Sequence, residues 1–200
     1  MKLYDRETSG NSYKIRLFLA LLKLKYEKVT VDTAAGEQKQ AWFLRMNPRG
    51  QIPVLEAEGK YIWDSTAILV YLGRRYGGES WLPLDAADMA EVAQWLAMAQ
   101  NEIMYGLARA RAIVAFGRKA DLSEAQAAGQ NALNVLEQHL QRHTWLAVGR
   151  PTIADVACYP YVALAEQGKI SLDPYPAVLS WMKRIQSLNG FVGMPGLRLV

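Results

Sequence analysis

The chain has 200 residues, 51% of them hydrophobic and 21% charged, a balance that excludes extended disorder and leaves room for one large domain or two small ones. Its longest strictly apolar run is Leu17–Leu22, six residues, too short for a bilayer-spanning helix. The net charge of +4 is uneven: residues 1–76 carry 13 Lys and Arg against 8 Asp and Glu. Acidic residues interrupt that excess throughout, so it is not the unbroken basic stripe of a nucleic-acid binder, and none is expected as a partner. Lys2, Asp5, Arg6 and Glu7 occupy the start where a secretion signal needs apolar residues. The single cysteine, Cys158, excludes internal disulfides, CxxC pairs and cysteine-based zinc clusters. The expectation is a protein of the reducing cytoplasm, bound to neither membrane nor metal.

Residues 1–76 alternate strand and helix signals. Lys2–Asp5 reads as a short strand, and Ser12–Leu24 as a helix with Ile15, Phe18, Leu19 and Leu22 at helical spacing. Tyr26–Val31 is a second strand, Gln38–Met46 a helix, and Asn47-Pro48-Arg49-Gly50 a turn. Ile52–Leu55 and Lys60–Trp63 are strands joined by Glu58-Gly59, followed by a helix over Ser65–Arg75. The order β-α-β-α-β-β-α predicts an α/β sandwich with mixed strand pairing. Residues 77–86 carry Gly and Pro punctuation and read as a linker.

No strand pattern follows. Ala86–Phe116 is a long alanine-rich helical pattern with a bend expected near Gly106. Ser123 and Gln126 form a capping-box pattern with Leu122 as staple, opening a helix through Leu133, Leu136 and Leu140. Thr152 opens another helix, capped by Asp155 and kinked at Pro160, and Pro176–Leu188 is the last. Residues 87–200 therefore read as an all-helical domain.

Three segments of the first domain place donors where an anion can bind. Thr8-Ser9-Gly10-Asn11-Ser12 lies between the first strand and first helix, where orphan N–H groups and the helix dipole favour a thiolate, carboxylate or phosphate. The same residues equally fit a plain helix cap. Gln51-Ile52-Pro53-Val54 sets a proline at a strand start. A cis bond there would turn the Ile52 backbone toward an added peptide strand, whereas a trans bond makes it an ordinary edge proline. Asp64-Ser65 opens the next helix, with Ser65 as cap facing a carboxylate and Asp64 beside an ammonium, or simply as a capping pair.

Ser9–Arg16, Asn47–Leu55, Asp64–Ile68 and Thr152–Asp155, in this order and spacing, resemble the cytosolic glutathione transferases over essentially the full chain. The resemblance implies a thioredoxin-like α/β domain with a cis proline at Pro53, an all-α second domain, and a C2 homodimer with one active site per subunit. Glutathione is the implied co-substrate. Ser9 matches the serine that hydrogen-bonds its sulfur in theta- and zeta-like members, and Asn11 the asparagine of nu-like ones. Gln38 and Gln51 fall where the glycine end is held, Ile52 where the cysteinyl unit pairs, and Asp64 and Ser65 at the γ-glutamyl group. Ser9-Gly10-Asn11 departs from the Ser-Ser-Cys of zeta-like isomerases, which counts against maleylacetoacetate isomerisation. Tyr4 is one residue out of register with the tyrosine of alpha-, mu- and pi-like members and belongs on the opposite strand face.

Other residues are read structurally. His139 and His143 share a helix face without a third ligand, so they read as a solvated helix end favourable to positive charge. Cys158 reads as a small core residue. Tyr105, Arg109, Ile113 and Phe116 form one stripe, either interdomain packing or a wall of the second-substrate pocket with Arg109 meeting an anion. The tail from Phe191 to Leu197 covers that pocket or packs on the helices. Three functions are carried: conjugation of glutathione to an electrophilic small molecule, glutathione-dependent disulfide or peroxide reduction, and a transferase-like binding module without catalysis.

Overall fold

A computed structural model describes all 200 residues. Strands β1 (Lys2–Asp5), β2 (Glu27–Thr30), β3 (Val54–Ala57) and β4 (Lys60–Trp63) form one sheet in the order β2-β1-β3-β4. β1 pairs parallel with β2 and antiparallel with β3, and β3 pairs antiparallel with β4. The parallel pair needs a crossover, which α1 (Gly10–Leu21) supplies; the antiparallel pair needs only the turn at Glu58-Gly59. This is the mixed α/β arrangement expected. Alternation along β1 buries Leu3 and Asp5 and turns Tyr4 the other way, where its hydroxyl donates to Glu56 at 2.9 Å.

Asp5 sets the entry to α1. Its carboxylate, fully buried, takes two bonds from Arg16 Nη1 at 2.6 and 2.7 Å, while Arg16 Nη2 donates to the Glu7 carbonyl at 2.8 Å. A buried pair of this kind is worth little against apolar residues, but removing one member strands the other charge. Its effect here is positional: it ties the middle of α1 to the strand end and bends the intervening loop toward Ser9.

The helical half comprises α4 (Gly78–Trp81), α5 (Ala86–Gln100), α6 (Arg109–Phe116), α7 (Leu122–Leu140), α8 (Ile153–Ala163) and α9 (Pro176–Gln186), preceded by α2 (Ala41–Leu44) and α3 (Ser65–Leu72) in the first half. A single cluster of 46 buried hydrophobic residues runs through both halves, from Leu3 and Ile15 to Trp181 and Met194. α8 lies at its centre and is buried along its whole length, packed against α1, α3 and α5. Cys158 is fully buried in it, as expected. The Thr152–Asp155 capping box is present, and Asp155 also accepts from Trp181 Nε1 at 2.9 Å and the Leu146 amide at 3.1 Å.

Several expectations need correction. The helix expected over 38–46 is a 3-10 turn, Glu37–Lys39, and then α2, broken at Gln40, whose ψ of 153° is extended. The cause is tertiary: Gly50 comes so close that a Cβ there would sit 2.7 Å from the Gln38 carbonyl oxygen. The helix expected over Ser65–Arg75 is α-helical only to Leu72 and then widens into a π-helical turn, Gly73–Gly77, and the expected linker begins with the short helix α4. The long helix is split by Asn101 and a second π turn, Met104–Ala108, around Gly106. Gly106 lies against the α7 backbone, where a Cβ would meet the Gly129 nitrogen at 2.4 Å. α7 begins two residues earlier than its pattern implies, with Asp121 as cap accepting from the Glu124 amide and the Ser123 hydroxyl. Gln126 does not close a box and instead donates to the Gly168 carbonyl.

Of the two histidines expected at a solvated helix end, only His143 is exposed; His139 is not. It is half-buried between Trp95 and the stacked ring of His143, and burial pulls it below the usual histidine range, against positive charge. The tail packs on the helices: Phe191 meets Tyr159, the Val192 carbonyl accepts from Tyr13 at 2.7 Å, and Met194 joins the core.

Candidate functional site

The first turn of α1, the loop before β3 and the start of α3 converge on one small polar cleft. Asn11, Asp64 and Ser65 line it from the two helix starts, and Asn47, Arg49 and Gln51–Pro53 line it from the loop. The Ile52–Pro53 bond is cis. Asn47 holds this loop in shape, donating to the Gln51 carbonyl at 2.7 Å and accepting the Arg49 amide at 3.0 Å.

Ser9 is the N-cap of α1, its Oγ accepting the Ser12 amide at 3.2 Å. With an acceptor lone pair used in this way, the hydroxyl proton is free to donate outward. Capping and anion binding are therefore not rivals at Ser9. Asn11 stands in the first turn and meets the Ser65 hydroxyl at 3.5 Å, which ties the starts of α1 and α3 together.

The cap of α3 is Asp64, not Ser65. Asp64 accepts the Thr66 amide at 2.9 Å and holds φ at +74°, a left-handed value for a non-glycine residue that costs about 1–3 kcal/mol. It is fixed there by Gln100 from α5 at 2.9 Å and by Arg49 at 3.3 Å. Ser65, displaced to the first helical position, keeps its own N–H among the orphan donors. Gln38 does not line the cleft: its amide nitrogen donates to the Thr33 carbonyl at 3.4 Å, and its amide oxygen is buried without a partner.

The stripe of the sixth helix also departs from its expected place. Arg109 pairs with Glu124 at 3.4 Å, Tyr105 is 61% exposed, and Ile113 packs at the edge of the core. Arg111, two residues on, is the one that reaches the site loop. It is buried, donates to the Thr8 carbonyl at 3.0 Å and to Gln167 Oε1 at 2.5 Å, and has no carboxylate partner. Burial pulls its guanidinium below the usual arginine range. Tyr161 on α8 is a second residue that the sequence pattern conceals. Its ring lies against Gly10, where a Cβ would fall 2.6 Å from Cε1 and 2.8 Å from Cζ. Burial pushes its phenol up to about 12, opposed by the Arg111 charge and the Asn11 amide, so the hydroxyl stays protonated. Only the glycine at position 10 hints at so close an approach.

The sequence and the fold both have relatives. Residues 1–74 match the glutathione S-transferase N-terminal domain and residues 88–189 the glutathione S-transferase C-terminal domain. The glutathione S-transferase of Pseudomonas fluorescens superposes with a TM-score of 0.92 at 37% identity, covering 97% of this chain and 98% of that one. The disulfide-bond oxidoreductase YfcG of Escherichia coli is 31% identical over 193 residues, 88% of this chain and 86% of its own. The maleylacetoacetate isomerase of Pseudomonas aeruginosa is 31% identical over 188 residues, 89% and 87% of the two chains. The chain belongs to the glutathione S-transferase family, with a thioredoxin-like domain followed by an all-α one.

Proposed function

We infer that the chain is a glutathione transferase, which binds reduced glutathione in the polar cleft and joins its sulfur to an electrophilic carbon. The observation that carries this reading is the Ser9 hydroxyl, capped on its acceptor side by the Ser12 amide and free to donate at the start of α1. The γ-glutamyl ammonium belongs against Asp64 and its carboxylate against the Ser65 amide and hydroxyl. The cysteinyl unit belongs along Ile52 and Pro53, and the glycine end near Gln51. Gln38, turned inward, takes no part. The thiol proton leaves to solvent, Ser9 and Asn11 hold the thiolate, and proximity to the second substrate supplies much of the rate.

The second substrate belongs between the first turn of α1 and the helical half. Arg111 and Tyr161 form its inner wall and Tyr105 an outer one, with Arg109 and Ile113 set further back. No group of three or more His, Cys, Asp or Glu is arranged to hold a metal ion, and no helix is long and apolar enough to cross a membrane. A homodimer and a cytoplasmic setting complete the proposal. A shallow groove bordered by Met98 and the half-exposed Val135 supports a second copy as the neighbour.

The YfcG relative favours one further activity, reduction of disulfides by glutathione. Cys158 is fully buried and burial pushes its thiol far up, so no protein thiol serves and glutathione supplies both. Thermal unfolding with reduced and with oxidised glutathione, in wild type and Ser9→Ala, tests both readings. At a hundredfold excess over Kd the ligand adds about 2.7 kcal/mol, a shift of several degrees at this size. Preference for the oxidised form moves the assignment to disulfide chemistry. No shift at millimolar ligand removes both and leaves a binding module.

A further inference from the structure

Lys14 is fully buried, and its Nζ has no hydrogen-bond partner. A lysine ammonium carries three donors and is among the costliest groups to bury unpaired. It stands three residues after Asn11 and four after Gly10, on the same face of α1, and a long helical side chain leans back toward the helix start. Its Nζ lies 5.4 Å from the centroid of the Tyr161 ring, whose far edge rests on Gly10. The ammonium is thus enclosed between α1 and α8, directly behind the turn that presents Ser9 and Asn11.

The groups around it do not neutralise it. From α8 the groups acting on it are Cys158, whose thiol stays protonated, and Tyr161, whose phenol does likewise and which also feels the cationic Arg111. From the start of α3 the Asp64 carboxylate acts on it, but Asp64 is already committed to Arg49, Gln100 and the Thr66 amide. Burial pulls Lys14 down to about 8, so it remains charged at neutral pH. That charge adds to the positive end of the α1 dipole.

We propose that Lys14 is the built-in counter-charge of the Ser9 site, a positioning residue whose enclosed ammonium holds the sulfur of bound glutathione as thiolate without touching it. The free enzyme bears a cation that lacks a partner; the bound thiolate supplies one when its proton leaves to water. Ser9 and Asn11 give the sulfur its hydrogen bonds, and Lys14 gives the site its sign. The proposal rests on glutathione binding in the cleft, so its test separates the two.

The experiment compares wild type, Lys14→Met and Lys14→Arg. Binding of S-methylglutathione, which has no thiol to ionise, reads the cleft alone; thiolate absorbance of bound glutathione against pH reads the charge. Binding of S-methylglutathione is expected to be alike in all three proteins. The thiol midpoint is expected to rise by about one pH unit in Lys14→Met, leaving roughly tenfold less thiolate below it, and to stay near wild type in Lys14→Arg. Removing an unpaired buried charge does not weaken folding, so the Met variant stays measurable. An unchanged midpoint in a Met variant that still binds S-methylglutathione overturns the role of Lys14 and leaves the glutathione site standing. Failure of the wild type to bind S-methylglutathione or glutathione overturns both.

Discussion

Asp155→Ala is expected to unfold this protein more readily than any substitution in the cleft. Asp155 is 1% exposed. Oδ1 accepts Trp181 Nε1 at 2.9 Å and the Leu146 amide at 3.1 Å, while Oδ2 accepts the Thr152 amide at 2.8 Å and its hydroxyl at 3.3 Å. Alanine strands three N–H donors in a region closed to water, at about 1–3 kcal/mol each. Relief from burying a carboxylate offsets part of this, leaving a net loss of about 3–5 kcal/mol. At about 2–4 °C per kcal/mol for a chain of this size, the melting temperature falls by roughly 6–20 °C. Urea unfolding at fixed protein concentration measures the loss, and Asp155→Asn, which keeps one acceptor oxygen, should fall between. Activity per folded molecule should be unchanged, because Asp155 lies among α8 and α9 and not in the cleft. A loss under about 1 kcal/mol would refute the reasoning, since the stranded donors would then have found other acceptors.

Gly10→Ala drives a methyl into the Tyr161 ring at 2.6 Å and should cost about 1–3 kcal/mol in urea unfolding while weakening glutathione binding. Arg111→Met releases the Thr8 carbonyl and Gln167, so turnover should drop by about 10- to 100-fold with glutathione affinity largely retained, read from kcat and Kd separately. For Lys14 the folded state disfavours the proton, so its cost is full below about pH 8 and vanishes as pH rises toward the ordinary 10.5. Lys14→Met should therefore be more stable than wild type by about 3 kcal/mol at pH 7, with the gap closing above pH 8; a gap that does not change with pH refutes this.

The parts of the site that sequence reasoning reaches are those written locally. Ser9, Asn11, Asp64 and Ser65 sit at helix starts and Ile52-Pro53 at a strand start, where the chemistry of a few neighbouring residues decides the geometry. Those it misses depend on a partner far along the chain. The helix breaks at Gln40 where Gly50 packs against the Gln38 backbone, and Gln38 turns to the Thr33 carbonyl; nothing between positions 37 and 46 signals a break. Asp64 captures the cap from Ser65 because Gln100 and Arg49 hold it there. Arg111 is hidden for a different reason. Counting in steps of four from Tyr105 assumes an unbroken α-helix, but the π turn over Met104–Ala108 holds more residues per turn and rotates everything beyond it. The step from Tyr105 to Arg109 crosses that change of phase. Lys14 carries no pattern at all, since a lysine on an apolar helix reads as a solvated residue until the opposing helix is in place.

The unbroken core has an implication for how such a chain can vary. The hydrophobic cluster crosses between the halves without a seam, and Thr8, next to Ser9, is held by a side chain lying about a hundred positions away. A recombination event that exchanged the helical half for that of a distant cousin would replace more than the wall facing the second substrate. It would remove Arg111 from the Thr8 carbonyl and Tyr161 from Gly10, and leave Lys14 facing strangers. New specificities in this lineage should therefore arise by point changes along the outer helix surfaces, with the two halves inherited together.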